Sequence, residues 1–239
     1  MFRTMDRECE SFFHLSPYTF CAGDPINFTD PTGNRVVAYD DDGTEWEFRN
    51  VDGEYNFYNA NNERYDGVSN LILSAEDDLK KIVSGAVGNR VVTSLIESDK
   101  TLILEIGNSN TTKMSINEDG NTSYTIQWAP TDTSGGISRA EDGTLTNYRP
   151  PFIGLAHELG HSYDFMILNN ENYRSEWFSF PDNHVVTKSD IIAGNIENAI
   201  RFEHNISPRL YYGNNANEGD YHPSYFTYIF TLFFVTKFH

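Results

Sequence analysis

Three things are scarce in this chain. Cysteine occurs only as Cys9 and Cys21, both near the N-terminus and away from the histidine motif described below. Neither a disulfide framework nor a cysteine-ligated metal is therefore indicated, and two free thiols are expected. Basic residues number 17 against 35 acids, a formal net charge of −18. A nucleic-acid backbone or an anionic membrane needs lysine and arginine on the binding face, so neither is expected as a partner. Long apolar runs are missing as well. The stretch from Tyr225 to Val235 has roughly half the ~20 residues of a membrane-spanning helix and reads as a buried strand or an aggregation-prone end. The first residues, Met1 to Glu8, contain no apolar run, so no secretory signal peptide is expected in this chain. With 239 residues there is enough chain for one good core and a small appendage.

What the chain does contain is a His-Glu-x-x-His motif, His157-Glu158-Leu159-Gly160-His161. Residues four apart share one face of a helix, so His157 and His161 would aim two imidazoles at one Zn2+. Glu158 would stand beside them as the general base that takes a proton from the attacking water. Pro150-Pro151 supplies a helix start, because a proline in the first turn forgoes no hydrogen bond. The flanking Leu155, Ala156, Leu159, Gly160 and Ser162 are uncharged, as a buried metal-bearing helix requires.

Upstream, residues 35 to about 67 alternate Tyr, Phe, Val and Trp with turn-forming Asp, Asn and Gly, which predicts a small antiparallel sheet. Asp40 and Asp42 before Gly43 lack the spacing and bidentate glutamate of a calcium loop and read as a solvated turn. A helix is expected from Ser74 to Val83, with Ser74 as cap and Asp77 three residues on. Val91 to Ile96, Thr101 to Ile106 and Lys113 to Ile116 read as strands. Asn121 to Pro130 is the most strand-like run and is expected to be the edge strand above the metal, followed by a loop at 131 to 147. Leu168 to Asp182 reads as a loop on the rim of a cleft.

A second helix is expected from Ser189, its N-cap, to His204. Asp190, Glu197 and Arg201 form one stripe on it, and an acid from such a helix would be the third metal ligand. Seven residues separate Asp190 from Glu197 by ~10 Å of helix, so both carboxylates cannot easily reach one metal. Glu197 has a ready ion-pair partner in Arg201 at i, i+4, and it could equally orient a metal-bound histidine.

Two resemblances add to this. Leu15 to Asn34, with Ser16-Pro17-Tyr18-Thr19-Phe20-Cys21-Ala22-Gly23-Asp24-Pro25-Ile26-Asn27 and a closing Asp30-Pro31-Thr32-Gly33, closely resembles the end of the RHS (YD-repeat) associated core. In that family this junction precedes a variable C-terminal toxin, which implies that residues 1–34 end such a core and that the piece is clipped or internally started. Residues of about 120 to 213, with the His-Glu-x-x-His helix, Glu197-Asn198-Ala199-Ile200-Arg201 and Arg209-Leu210-Tyr211-Tyr212, resemble the NleD-like effector zinc metallopeptidases. Pro208 stands where that family usually has leucine. The resemblance implies an acid seven residues before Glu197, which is Asp190 where the family usually has glutamate. Ala193 and Gly194 would permit the closer helix approach that the shorter aspartate needs. Asp190 is therefore preferred over Glu197 as third ligand, and Tyr212, or less favourably Tyr211, is expected to hydrogen-bond the oxyanion.

The expectation is thus an α+β, zincin-like metalloprotease domain, with an antiparallel edge sheet and an active-site helix, behind a short β-rich remnant at 1–34. A hairpin-rich segment at 35–70 would connect the two, and the peptidase would occupy 71–239, its tail after 221 unassigned. Such a domain would use Zn2+, cleave a protein in a target cell, and be delivered as the C-terminal part of a larger secreted RHS protein, with an immunity protein as a possible partner. The alternative is a catalytically degenerate toxin remnant that only folds or binds a partner.

Overall fold

In the computed structural model the described residues are 35–116, 122–170, 174–179 and 185–210. The segment 1–34 with Cys9 and Cys21, the turn at 118–120, Tyr211, Tyr212 and the run 225–235 lie outside them. The first strands are β1 (Arg35–Tyr39), β2 (Glu45–Val51) and β3 (Glu54–Tyr58); helices α1 (Asn70–Val83) and α2 (Ala86–Ile96) follow. Next come β4 (Thr101–Ile106), β5 (Thr111–Ile116) and β6 (Thr122–Trp128), then the hairpin β7 (Ser134–Arg139) and β8 (Leu145–Tyr148). Helix α3 (Pro151–Met166) is separated from α4 (Lys188–Glu203) by the strand pair β9 (Glu176–Ser179) and β10 (Val185–Thr187). None of the described helices is long and apolar enough to cross a membrane.

One six-stranded mixed sheet runs in the order β3-β2-β1-β4-β6-β5. Strands 35–58 therefore share a single sheet with those of 101–128, joined by the parallel pairing of β1 with β4; β4 also pairs in parallel with β6. A parallel pair demands a crossover, and between β1 and β4 the chain includes α1 and α2. Period-two alternation puts Val36, Ala38, Leu102, Leu104, Tyr124, Ile126 and Trp128 into the core. The register then decides what the neighbouring strand contributes: Thr112 lies opposite Ile126 and Met114 opposite Tyr124, so both belong to the buried face. The edge strand is therefore β5, whereas the more strand-like residues 122–128 of β6 lie one position inside it.

Other local expectations give way to packing. Val91 to Ile96 is not a strand but part of α2, because Gly88, Val91, Val92 and Leu95 make one buried helical face that outweighs the β-propensity of the two valines. Helix α1 starts one turn earlier than Ser74: Ile72, Ala75, Leu79 and Ile82 form its buried face, and Asp77 pairs with Lys81 at 2.8 Å rather than capping. The expected loop at 131–147 holds the β7–β8 hairpin, turned at Gly143 with φ 84°, where the Gly143 N–H donates to the Ala140 carbonyl at 3.0 Å and the Ala140 N–H to the Thr144 carbonyl at 2.9 Å. The rim loop expected at 168–182 includes β9. Asp40 accepts from the Asp42 and Thr44 N–H groups with one oxygen and from the Trp46 indole with the other, which accounts for it as a turn residue.

Helix α3 is buried nearly all round, as a helix enclosed by other elements must be. Phe152, Ile153, Leu155, Ala156 and Leu159 belong to the same cluster as the sheet residues. At Gly160 a Cβ would stand 2.7 Å from the Cα of Ala193. The absence of that atom is what lets α3 and α4 approach closely enough for side chains on both to share a site.

Candidate metal centre

Pro150 has extended backbone and Pro151 is the first residue of α3, so the helix starts where the proline pair predicts. One turn and a half later His157 and His161 face the same way, with ring centroids 4.8 Å apart. From α4 comes Asp190, whose Oδ1 lies 3.5 Å from His161 Nε2. Donor atoms of His157, His161 and Asp190 all lie within 4.8 Å of one another, a group that could hold a metal ion.

The cap of α4 explains how Asp190 is aimed. Its N-cap is Thr187 rather than Ser189: Thr187 Oγ1 accepts from the Asp190 N–H, while Asp190 Oδ2 accepts from the Thr187 N–H and hydroxyl, each at 2.7 Å. This capping box engages Oδ2 and leaves Oδ1 toward the histidines. Ser189, not needed as a cap, places its hydroxyl 2.9 Å from His161 Nδ1.

Glu197 sits elsewhere on the same helix and does a different job. It is fully buried, accepting from Arg201 Nε at 2.8 Å through Oε1 and from Arg209 Nη1 at 3.0 Å through Oε2. The same Oε2 is 3.0 Å from His157 Nδ1. Burial alone would raise its pKa, but Arg209, the nearby His157 and Arg201 together hold it well below the usual carboxylate range. Arg209 is fixed in turn by Asn198, whose side chain bonds both its N–H and its carbonyl, at 2.6 and 3.0 Å. Gly136 of β7 carries no Cβ where one would overlap the Arg209 guanidinium.

Glu158 faces the sheet edge. Thr112 on β5 places its hydroxyl 2.8 Å from Glu158 Oε2 and 3.0 Å from the Glu158 carbonyl oxygen. Burial pushes the Glu158 carboxyl up, opposed by His157, by the Thr112 hydrogen bond and by Arg149. His161 is pushed down to about 3, by burial first and then by repulsion from His157. A neutral imidazole with a free lone pair is what a metal ligand must be. The site opens into a cleft of about 550 Å³ bounded by β5, α3, Arg174 and the first turn of α4.

Residues 61–179 match the Peptidase_M91 family model, described as an effector protein. The match supports an effector peptidase domain. It spans α1 to β9 and includes His157, Glu158 and His161; Asp190 and Glu197 lie beyond it. No curated protein and no solved structure gives a significant match. Thr112, Ser189, Arg149 and Arg209 are the site-forming residues that local reading missed. Ser189 is expected only as a cap and Arg209 only as part of the family resemblance, while Thr112 and Arg149 carry no motif; Thr112 is brought in by the register of β5, Arg149 by its place just before α3, Ser189 by the first turn of α4 and Arg209 by the return of the chain after α4.

Proposed function

We propose that this effector peptidase domain is a zinc-dependent endopeptidase, and that it serves as the toxin module of an RHS-type secreted protein acting on a protein of the target cell. The observation that carries the reading is that His157, His161 and Asp190 bring donor atoms within 4.8 Å of one another while their outer atoms each face a polar group. His157 Nδ1 meets Glu197, His161 Nδ1 meets Ser189 and Asp190 Oδ2 meets Thr187, which leaves two Nε2 atoms and Oδ1 to converge. Two imidazoles and one carboxylate are a donor set suited to catalytic zinc. Zinc bound there supplies the Lewis acidity that makes water a nucleophile near neutral pH.

The chain's own residues do the rest. Glu158, held by Thr112, accepts the proton of the attacking water at its carboxylate and delivers it to the leaving amine. Its upward shift brings its basicity nearer to working pH. Strand β5 is paired on one side only among the described residues, so an extended substrate can add to its outer edge by main-chain pairing and present its carbonyl to the site. Tyr212, two residues after the anchored Leu210, is the proposed oxyanion donor; Leu210 itself is fixed by an N–H bond to the Ile137 carbonyl at 2.7 Å. Residues 15 to 34 support the RHS assignment by their resemblance, and an immunity protein that blocks the cleft would be its natural partner. The converging donors and the positioned base favour this reading over a degenerate remnant.

The test is to incubate the full chain and zinc with a target-cell lysate and sequence the new N-termini. Discrete cleavages that stop with a chelator and return with added zinc are expected; a lysate left intact contradicts the proposal. Within it, Thr112→Val should leave zinc content unchanged and lower turnover on the order of tenfold, about 1.4 kcal/mol. Because the Thr112 bond lowers the Glu158 pKa, its loss should also move the acid limb of the pH–rate profile to higher pH. An unshifted limb at wild-type turnover rules out this role for Thr112.

A further inference from the structure

Lys113 follows Thr112 on β5, and Thr112 is the residue that bonds Glu158. Alternation along a strand puts the two on opposite faces. Thr112 looks toward α3, while Lys113 is exposed on the other face of the sheet, at the border of the same cleft. Its neighbours on that face are Thr111 and Ser115 along the strand and Thr125 across from it, all uncharged. The ammonium donates to Gln127 Oε1 at 2.7 Å and makes no ion pair among the described residues. Lys80, Lys81, Arg201 and Arg209, by contrast, each lie on a carboxylate. In a chain with 35 acids and 17 bases, a cation that meets only a neutral amide is unusual, and this one stands on the edge strand beside the site. The cleft lining holds two cations, Lys113 and Arg174, and two carboxylates, those of Glu158 and Asp190. Both carboxylates already have a part in the chemistry, so the charge left to meet a substrate side chain is positive.

We propose that Lys113 selects an acidic side chain at the substrate position it faces, so that the substrate class is an extended segment carrying Asp or Glu next to the residue that lies opposite Thr112. The inference rests on the reading of β5 as the substrate-binding edge of a peptidase. A strand added to that edge alternates in step with β5: side chains on one face enter the cleft beside Thr112 and Met114, and those on the other line up with Lys113, directly opposed Cβ atoms being ~5 Å apart. Lysine on an open edge strand normally discourages pairing with a further strand; an acid in the incoming segment turns that obstacle into a contact. Net charge argues the other way, since a chain at −18 attracts basic peptides as a whole. The two effects differ in range. At physiological salt, charges beyond about 8 Å are largely screened, whereas an opposed pair in contact is not, and it favours pairing by up to about fivefold. The local cation, and not the distant acids, therefore decides which side chain is accepted.

The test uses the full chain without metal, labelled with 15N, and follows the backbone amides of β5 as peptide is added, so that binding is read without cleavage. The probes are short capped peptides of alternating threonine and valine in which one central threonine is replaced by Glu, Gln or Lys. Burial of the valines in the cleft sets the register and places the variable side chain on the Lys113 face. In about 0.15 M salt the Glu peptide should shift Thr111 to Ile116 and bind about threefold more tightly than the Gln peptide and about tenfold more tightly than the Lys peptide. Lys113→Glu should invert the order, and Lys113→Gln should remove most of the difference. Tightest binding by the Lys peptide in the wild-type chain, the result that net charge alone gives, overturns the proposal. So does an order that Lys113→Glu leaves unchanged, or the absence of any shift in β5 with all three peptides. A chain that shows the charge order and cleaves nothing would lose the peptidase assignment and keep this one. A chain that cleaves discretely with no preference among the three peptides would keep the peptidase assignment and lose this one.

Discussion

Glu158→Gln is expected to keep both its zinc and its fold and to lose peptidase turnover by about a hundredfold or more, roughly 3 kcal/mol of transition-state stabilisation. Glu158 is outside the His157, His161 and Asp190 group, so metal content should not change. The amide oxygen can still accept the Thr112 hydroxyl that now bonds Oε2 at 2.8 Å, so the local geometry should persist. What disappears is the basicity. The fold should lose nothing, and the sign can be worked out: burial raises the Glu158 pKa above its unfolded value, so ionisation is less favourable in the folded chain and the neutral amide removes that cost. In the wild-type chain the same shift should move the acid limb of the activity profile toward higher pH. Zinc content, a thermal melt and single-turnover cleavage of one peptide check all three expectations. Wild-type turnover in Glu158→Gln would remove Glu158 from the mechanism.

Glu197→Ala should have the opposite character, costing stability first. It would leave the guanidiniums of Arg201 and Arg209 buried without the carboxylate that now lies 2.8 and 3.0 Å from them. Removing one partner of a buried ionic network typically costs about 3–5 kcal/mol, because the remaining charge stays desolvated. His157 would lose its orienting oxygen as well. The pH dependence follows from the lowered pKa of Glu197. A carboxyl depressed on folding contributes stability that is fully present above its unfolded pKa and is lost as pH falls through the folded value. The wild-type chain should therefore hold this contribution at neutral pH and give it up only below the ordinary carboxylate range, a component missing from Glu197→Ala. Urea melts at neutral and acid pH measure both effects; a loss below about 1 kcal/mol at neutral pH would show that the network is not under the strain of burial described here.

The sequence and the fold agree most closely where spacing alone carries geometry. His157, Glu158 and His161 need only a helix, and Pro150-Pro151 marks its start. The choice between Asp190 and Glu197 was partly legible, since one helix cannot bring both to one metal. The structure puts Asp190 beside the histidines and Glu197 among the arginines. Serine's preference for the N-cap position predicts Ser189 as the cap, but Thr187 with Asp190 forms the capping box and Ser189 turns to His161 instead. Local propensity cannot rank two capping candidates two residues apart when tertiary contacts claim one of them. Thr112 was invisible for a similar reason: its position facing Glu158 follows from pairing with Ile126, a long-range register. The two valines of α2 show the converse error, a strand-like pair bound into a helix by its buried face.

The most direct test of the metal site is the zinc content of the purified full chain beside that of Asp190→Asn, with zinc-edge absorption on both. The amide of Asp190→Asn can still offer its oxygen to the Thr187 N–H, so the cap of α4 should survive while the donor facing the histidines is lost. The account predicts one zinc per chain in the wild-type protein, with two imidazole nitrogens and one carboxylate oxygen from the chain around it, and little or none in Asp190→Asn. A wild-type chain that binds no zinc, or an Asp190→Asn chain that keeps it in full, would contradict the account.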